Sequence, residues 1–243
     1  MIATYRAEEW APAAEGRTEQ SAAMQISYLV RVLDAIDETT RIDRRDAAML
    51  ALVYGKLSRR IEAADLLVEH VRISDSEVWV YTVKSKTDQK VKGSWRRISY
   101  RADLQLVTRL RSWLRDLHEL GADQPRSPLF RALTVKGNLA NRTLATDRGN
   151  HLSGRAVNEM AKKRAAAAGL PYIAGLKVTA HSWRAGSNTD MSKAGVPLKL
   201  RNRAGGWAKD SRRADTTYDR PDNTDTIDPM DAVPLYGNFT PPA

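Results

Sequence analysis

From Ile26 the apolar positions fall on a helical period, with Ile26, Leu29, Val30, Val32, Leu33 and Ile36 along one stripe. Ala47, Ala48, Leu50, Leu52 and Val53 mark a second helix, for which Asp43 is the expected cap. A third helix is expected from Ser58 or Arg59 to about Leu67. The period then changes. Glu77 to Val83 and Ser94 to Tyr100 alternate and are rich in β-branched and aromatic residues. A polar, basic turn separates them, so the pair reads as a hairpin, with Val71 to Ser74 as a short third strand. Helical spacing returns at Asp103, carried by Leu104, Leu106, Val107, Leu110, Trp113, Leu114 and Leu117. Residues 121–152 are punctuated by Gly, Pro and Asn and read mostly as loop. Ser153 is expected to cap a helix through Ala168, and Leu170 to Lys177 to be a connection. A helix from about His181 should end at Gly195. Pro197 opens another that stops near Gly205 and Gly206, and a last short helix spans Ser211 to Asp219. Residues 1–22 show no clear period and read as an arm or linker. The pattern predicts a mainly α fold with one small antiparallel sheet, an α+β domain over residues 23–219, followed by a tail at 220–243.

Composition narrows the chemistry. The 243 residues suit one large domain able to bury a core. The absence of Cys excludes a disulfide scaffold, a thiolate zinc site and thiol catalysis. Four scattered His without clustered acids argue against a metal enzyme, so no metal and no cofactor are expected. No apolar run is long enough to span a bilayer, and the N-terminus lacks the layout of a secretory signal, so a cytoplasmic location is expected.

The net charge of +10 favours a polyanionic partner, and it is unevenly placed. Residues 1–40 hold three basic against seven acidic residues, and the tail carries Asp222, Asp225, Asp228 and Asp231. Residues 84–101 hold Lys84, Lys86, Lys90, Lys92, Arg96, Arg97 and Arg101 against Asp88 alone. Residues 155–220 hold fourteen basic against five acidic. Segregation of this kind points to a basic face for nucleic acid, although for any single charge a solvated helix face is the commoner reading.

Five short features occur in order. Arg59 and Glu62 form an Arg-x-x-Glu box, with Arg60 as a second arginine beside it. Lys86 lies in a Lys-Thr pair on the hairpin. His181 and Arg184 are three apart and share a helix face. Ala204-Gly205-Gly206-Trp207 follows, and Tyr218 stands eleven positions after the Trp. Each alone has an ordinary explanation: a surface ion pair, a loop lysine, a helix stop, a core Trp. Together, and with HSWRAGSNTDMSKAGVPLKLRNRAGGW as the longest stretch, they resemble the tyrosine recombinase (phage integrase) family, Cre-like in its catalytic domain, over roughly residues 17–220.

The resemblance implies a site-specific recombinase that cleaves and rejoins DNA through a 3′-phosphotyrosyl intermediate without a metal. Tyr218 would be the nucleophile, which as a phenol needs positioning and activation. Arg59 and Arg184 would hold the non-bridging oxygens with fixed guanidinium charge, and Trp207 would add an indole donor. His181 would accept the Tyr218 proton or donate to the phosphate, and Lys86 would protonate the leaving 5′-oxygen. Glu62 would orient Arg59 or His181. Arg60, Lys84, Lys90, Lys92, Arg201, Arg203, Arg212 and Arg213 are the expected DNA-backbone contacts. The implied partners are double-stranded DNA and further copies of the chain, a tetramer on DNA and a monomer when free.

Departures from the family pattern leave alternatives. The Trp-to-Tyr interval is two longer than usual, so Ser211 to Thr216 reads as carrying a two-residue insertion, with Tyr236 as the downstream competitor for the nucleophile. Family members carry a helical core-binding domain ahead of this region. Here only the arm precedes it, which implies either a catalytic domain from a longer protein or a reduced DNA grip. The Pro-rich tail reads as disorder or as an apolar plug of Met230, Val233, Leu235 and Tyr236 for a neighbouring protomer. A type IB topoisomerase or telomere resolvase shares the same residue logic, and a non-catalytic DNA-binding module is the alternative outside catalysis.

Overall fold

The computed structural model describes residues 20–82, 93–140 and 151–217. Among these residues eight α-helices occur in order: α1 (Ile26–Asp34), α2 (Arg41–Lys56), α3 (Arg60–Ala64), α4 (Leu106–Glu119), α5 (Gly154–Ala167), α6 (Ala180–Lys193), α7 (Leu198–Gly205) and α8 (Arg213–Thr216). Three strands, β1 (Val71–Ile73), β2 (Glu77–Thr82) and β3 (Ser94–Ser99), form an antiparallel sheet between α3 and α4. The mainly α fold with a small antiparallel sheet agrees with the hydrophobic pattern.

Helix α2 is the centre. From Arg45 to Tyr54 every residue is buried, so it is packed all round rather than along one stripe. Four of its alanines and leucines (Ala47, Ala48, Ala51, Leu52) lie wholly out of solvent and let α4 and α6 approach closely. Trp113 of α4, Phe130 and Trp183 of α6 supply the bulk around it. The two carboxylates buried around it, Asp46 and Asp116, are paired. Asp46 takes Arg45 and Arg164, and Asp116 takes Arg44, which answers the desolvation of each charge with a partner.

The sheet places one arginine where alternation does not lead one to look. In the register Val78 faces Ile98 and Val80 faces Arg96. Val78, Val80 and Ile98 are buried, so Arg96 stands on the core face of β3 while Trp79 and Arg97 stand on the other.

Several boundaries differ from the sequence reading. Thr40, not Asp43, caps α2. Its hydroxyl accepts the Asp43 N–H at 3.2 Å, and Asp43 sits in the first turn. Both residue types favour caps, and Asp43 instead pairs with Arg164 of α5. Helix α3 stops at Ala64 instead of about Leu67, because Leu67 bridges to Pro128 in the loop after α4. Helix α4 begins at Leu106, not Asp103, since Gln105 adopts a left-handed φ of 47° that no helix continues through. The expected connection after Leu170 contains a second, two-stranded ribbon, β4 (Tyr172–Ile173) and β5 (Leu176–Lys177). The expected end of the last helix at Asp219 lies outside the described residues.

The chain before α1 is also part of the fold. Residues 20–22 were expected to end an arm, but Ala22 and Met24 are wholly buried and donate to Lys177 and Ser182. The segment crosses α6 at Gly186, where a Cβ would fall 1.8 Å from the Met24 carbonyl oxygen. Among the described residues no helix is long and apolar enough to cross a membrane.

Candidate active site

Two chain reversals and one strand meet at the C-terminal end of α2. The first follows Lys56, where Leu57 takes a left-handed φ of 56° and turns the chain into Ser58 and Arg59. Arg59 precedes α3 and receives Glu62 from one turn on. The Glu62 carboxylate accepts the Arg59 backbone N–H at 2.9 Å and also pairs with its guanidinium. Burial pushes the Glu62 pKa up, but the Arg59 N–H and guanidinium, with Lys56, outweigh it and hold the carboxyl below its ordinary value.

The second reversal ends α7. Gly206 has a φ of 64°, and the Trp207 N–H returns to Asn202. Gly205 is required for a different reason: a Cβ there would lie 2.0 Å from the Trp207 ring. The two glycines thus have separate tasks, one to turn the chain and one to let the indole lie flat on the helix end.

Arg184 joins these two reversals. It projects from α6 with no exposed surface and donates to the Leu57 and Gly205 carbonyls. Its guanidinium carbon lies 4.1 Å from the centre of the Trp207 ring, a cation–π stack. His181, three residues earlier, stands exposed in the first turn of α6, whose cap Thr179 accepts the His181 N–H.

The third element is β3. Arg96 donates to the carbonyls of Lys56 and Ala204, tying the sheet to the ends of α2 and α7. Burial and the nearby Arg184 bring its pKa down to about 10. These residues surround a cleft of about 480 Å³ lined by Lys56, Arg59, Glu62, Trp79, Arg96, Arg203 and Gly205 among others. Glu62 is the one carboxylate among the described lining residues, against five cations, Lys56, Arg59, Arg96, Arg97 and Arg203. Such an imbalance disfavours an empty, dry cleft and favours an anion.

The expected site residues sort as follows. Arg59, Glu62, Arg184 and Trp207 come together at this junction, with Arg203 exposed at the rim. Arg60 points away, its side chain running beside Gly154 of α5. Arg212 and Arg213 are exposed at the start of α8. Arg201 is a correction. It is buried, pairs with Asp215 and donates to the Val196 carbonyl, so it ties α7 to α8 instead of facing a DNA backbone. Lys84, Lys86, Lys90, Lys92, Tyr218 and Tyr236 lie outside the described residues. Helix α8 ends two positions before Tyr218 and is held by Arg201 on Asp215 and Asn188 on the Ala214 carbonyl, while Asn202 holds the Lys209 and Ser211 carbonyls of the segment leading into it.

Sequence reasoning missed Lys56 and Arg96. Lys56 looks like an ordinary cation at a helix C-terminus. Arg96 had a signal, since it shares a strand face with Ile98, and a charge on an apolar face needs an explanation. Among the described residues no group of three or more His, Asp or Glu is placed to hold a metal.

The family model described as the Phage integrase family matches residues 24–222. Among solved structures, the chain resembles the XerH site-specific recombinase bound to palindromic difH substrate in a post-cleavage complex. The TM-score is 0.59 at 18% identity, over 86% of this chain and 51% of that one. It resembles the XerA recombinase at TM-score 0.58 and 18% identity, over 84% and 62%. It resembles a lambda integrase tetramer bound to a Holliday junction at TM-score 0.54 and 17% identity, over 93% and 56%. The chain therefore spans roughly half to three fifths of those proteins. At these identities the likeness is one of fold. No curated protein matches by sequence.

Proposed function

Since the chain belongs to the phage integrase family, we propose that it is a site-specific DNA strand transferase that works through Tyr218. The observation that carries this reading is the cleft holding Lys56, Arg59 and Arg96 with Glu62 as the one described carboxylate, backed by the stack of Arg184 on Trp207. A cluster this basic suits one phosphodiester of a duplex.

The reaction follows from the chemistry of the groups. The Tyr218 phenolic oxygen attacks phosphorus, and its proton passes to a base, for which His181 is the candidate. The bond to the 5′-oxygen breaks, and that oxygen takes a proton from Lys86. A 3′-phosphotyrosyl bond replaces the phosphodiester, so little energy is lost and a second 5′-hydroxyl can reverse the step. Through the attack, negative charge grows on the non-bridging oxygens. Arg59 and Arg184 neutralise it with guanidinium charge. Their geometry is fixed before the substrate arrives, Arg59 by Glu62 and Arg184 by two carbonyls and Trp207. Strand exchange needs two duplexes and four cleavages, so the acting species on DNA is a tetramer of this chain.

The test is a nicked suicide duplex, which traps the covalent intermediate by losing the leaving strand. With a candidate site from the host locus, a protein–DNA adduct is expected that disappears in Tyr218→Phe. An adduct that persists in that variant, and disappears in Tyr236→Phe, would move the nucleophile to the tail. Relaxation of supercoiled plasmid lacking the site would favour a topoisomerase.

A further inference from the structure

Lys56 is the last residue of α2 and lines the cleft, yet its side chain is buried to 5% exposure. Its carbonyl accepts from Arg96, but among the described residues its amine makes no hydrogen bond or ion pair. Charged groups reach it from every neighbouring element: Glu62 from α3, Arg59 from the turn before it, Arg96 from β3 and Arg184 from α6. The one acid among them is already engaged by Arg59. A buried ammonium without a partner is unfavourable, and fold stability alone would be better served by an apolar residue of the same length. Its place among the guanidiniums has a rationale once an anion enters.

We propose that Lys56 is a further phosphate ligand of this cleft, its amine meeting a DNA backbone phosphate seated beside Arg59 and Arg96. The inference rests on the strand-transferase reading for the identity of the ligand, and it adds a lysine distinct from Lys86 on the hairpin.

Burial lowers the Lys56 pKa to about 8, with the three arginines adding to the effect and Glu62 partly offsetting it. In the free protein at pH 8 the amine is therefore about half protonated. A phosphate anion beside it restores the proton, so DNA binding and proton uptake are linked. If the bound amine regains an ordinary lysine pKa, linkage makes binding about tenfold weaker at pH 9 than at pH 7.

The experiment is calorimetric titration of the whole chain with a 30-base-pair duplex of arbitrary sequence at pH 8, in HEPES and in Tris. The two buffers differ in ionisation enthalpy, so the difference in heat counts protons. Wild type should take up about half a proton per chain. Lys56→Met should take up none, lose the pH dependence between 7 and 9, and show a salt slope shallower by about one phosphate contact. Lys56→Arg should bind as well as wild type at pH 7, without proton uptake. No uptake by wild type, or equal uptake by Lys56→Met, overturns the proposal. Should Lys56→Met not fold, the wild-type and Lys56→Arg pair decides alone. The outcome is separable from the strand-transferase reading. Uptake without a Tyr218 adduct keeps the ligand and removes the enzyme, and an adduct without uptake does the reverse. A duplex that does not bind overturns both.

Discussion

Trp207 lies over the Arg184 guanidinium at 4.1 Å, and the Cα of Gly205 forms the floor that lets it do so. The indole both shields one face of the arginine and limits where its charge can point. Replacing Gly205 by Ala would drive a methyl into the ring at 2.0 Å. The ring must lift, and Arg184 loses its stack. We expect Gly205→Ala to fold and to bind a duplex, but to form the tyrosyl adduct at least tenfold more slowly in single-turnover assays, an effect on the order of 1.4 kcal/mol in the barrier. Trp207→Phe keeps a ring without the N–H donor and should lose less. A Gly205→Ala protein that matches wild-type rates would show that the stack does not position the arginine.

Two arginines of α7 make a contrast. Arg203 is exposed at the rim of the cleft, whereas Arg201 is buried against Asp215. Arg203→Ala should weaken duplex binding and flatten its salt dependence, while leaving the melting temperature within about a degree. Asp215→Asn should do the opposite. It leaves the buried Arg201 charge without its carboxylate, and since Asp215 is half exposed the loss is about 1 kcal/mol rather than the several expected of a fully buried pair. Melting curves and fluorescence-anisotropy titrations at two salt concentrations separate the outcomes. A drop in duplex affinity for Asp215→Asn with unchanged melting would contradict the assignment.

The hydrophobic pattern was enough to place α1, α2 and the three-stranded sheet, and the cap and breaker residues Ser153, Gly195, Pro197 and Gly206 placed α5, α6 and α7. The pattern failed where the backbone departs from regularity for local reasons. Gln105 at positive φ delays α4, and Leu67 leaves α3 to bridge Pro128, neither of which has a signature in residue type. The site was legible as far as its residues are chemically unusual together: Arg59, Glu62, Arg184 and Trp207. Arg201 was misread because a basic residue in a basic segment looks exposed, and its burial depends on Asp215 fourteen residues away. Lys56 and Arg96 escaped because their roles come from the meeting of α2, β3 and α7, which no short window contains.

Gly186 tests how the chain before α1 is held. It sits inside α6, where glycine is unfavourable by itself. The compensation is the Met24 carbonyl passing where a side chain would be. Gly186→Ala should therefore destabilise, despite the gain in helix propensity, by on the order of 2 kcal/mol through backbone displacement. Hydrogen exchange should localise the damage to residues 20–26 and leave α2 protected. A stabilised variant would mean that this segment does not pack on α6.

Lys56 also sets a pH dependence of stability, opposite in sign to that of a paired lysine. Its folded pKa is about 8 against an ordinary 10.5, because burial disfavours the charged amine. Below pH 8 the group is charged in both folded and unfolded chains, and the whole penalty is present. Between pH 8 and 10.5 the folded chain holds fewer protons than the unfolded one, so the contribution of this group improves as pH rises. Above that window the amine is neutral in both states and the penalty is gone. Lys56→Met removes the ammonium while keeping the length of the side chain. It should stabilise the protein at pH 7 by on the order of 3 kcal/mol, with the advantage shrinking steadily from pH 8 to 10.5. Urea unfolding of both proteins at half-unit pH steps measures the difference directly. An advantage that stays constant across the window would place the amine in solvent. A Lys56→Met protein less stable than wild type at pH 7 would mean that the ammonium has a partner that compensates its burial, and the cleft would then not be poised for an anion.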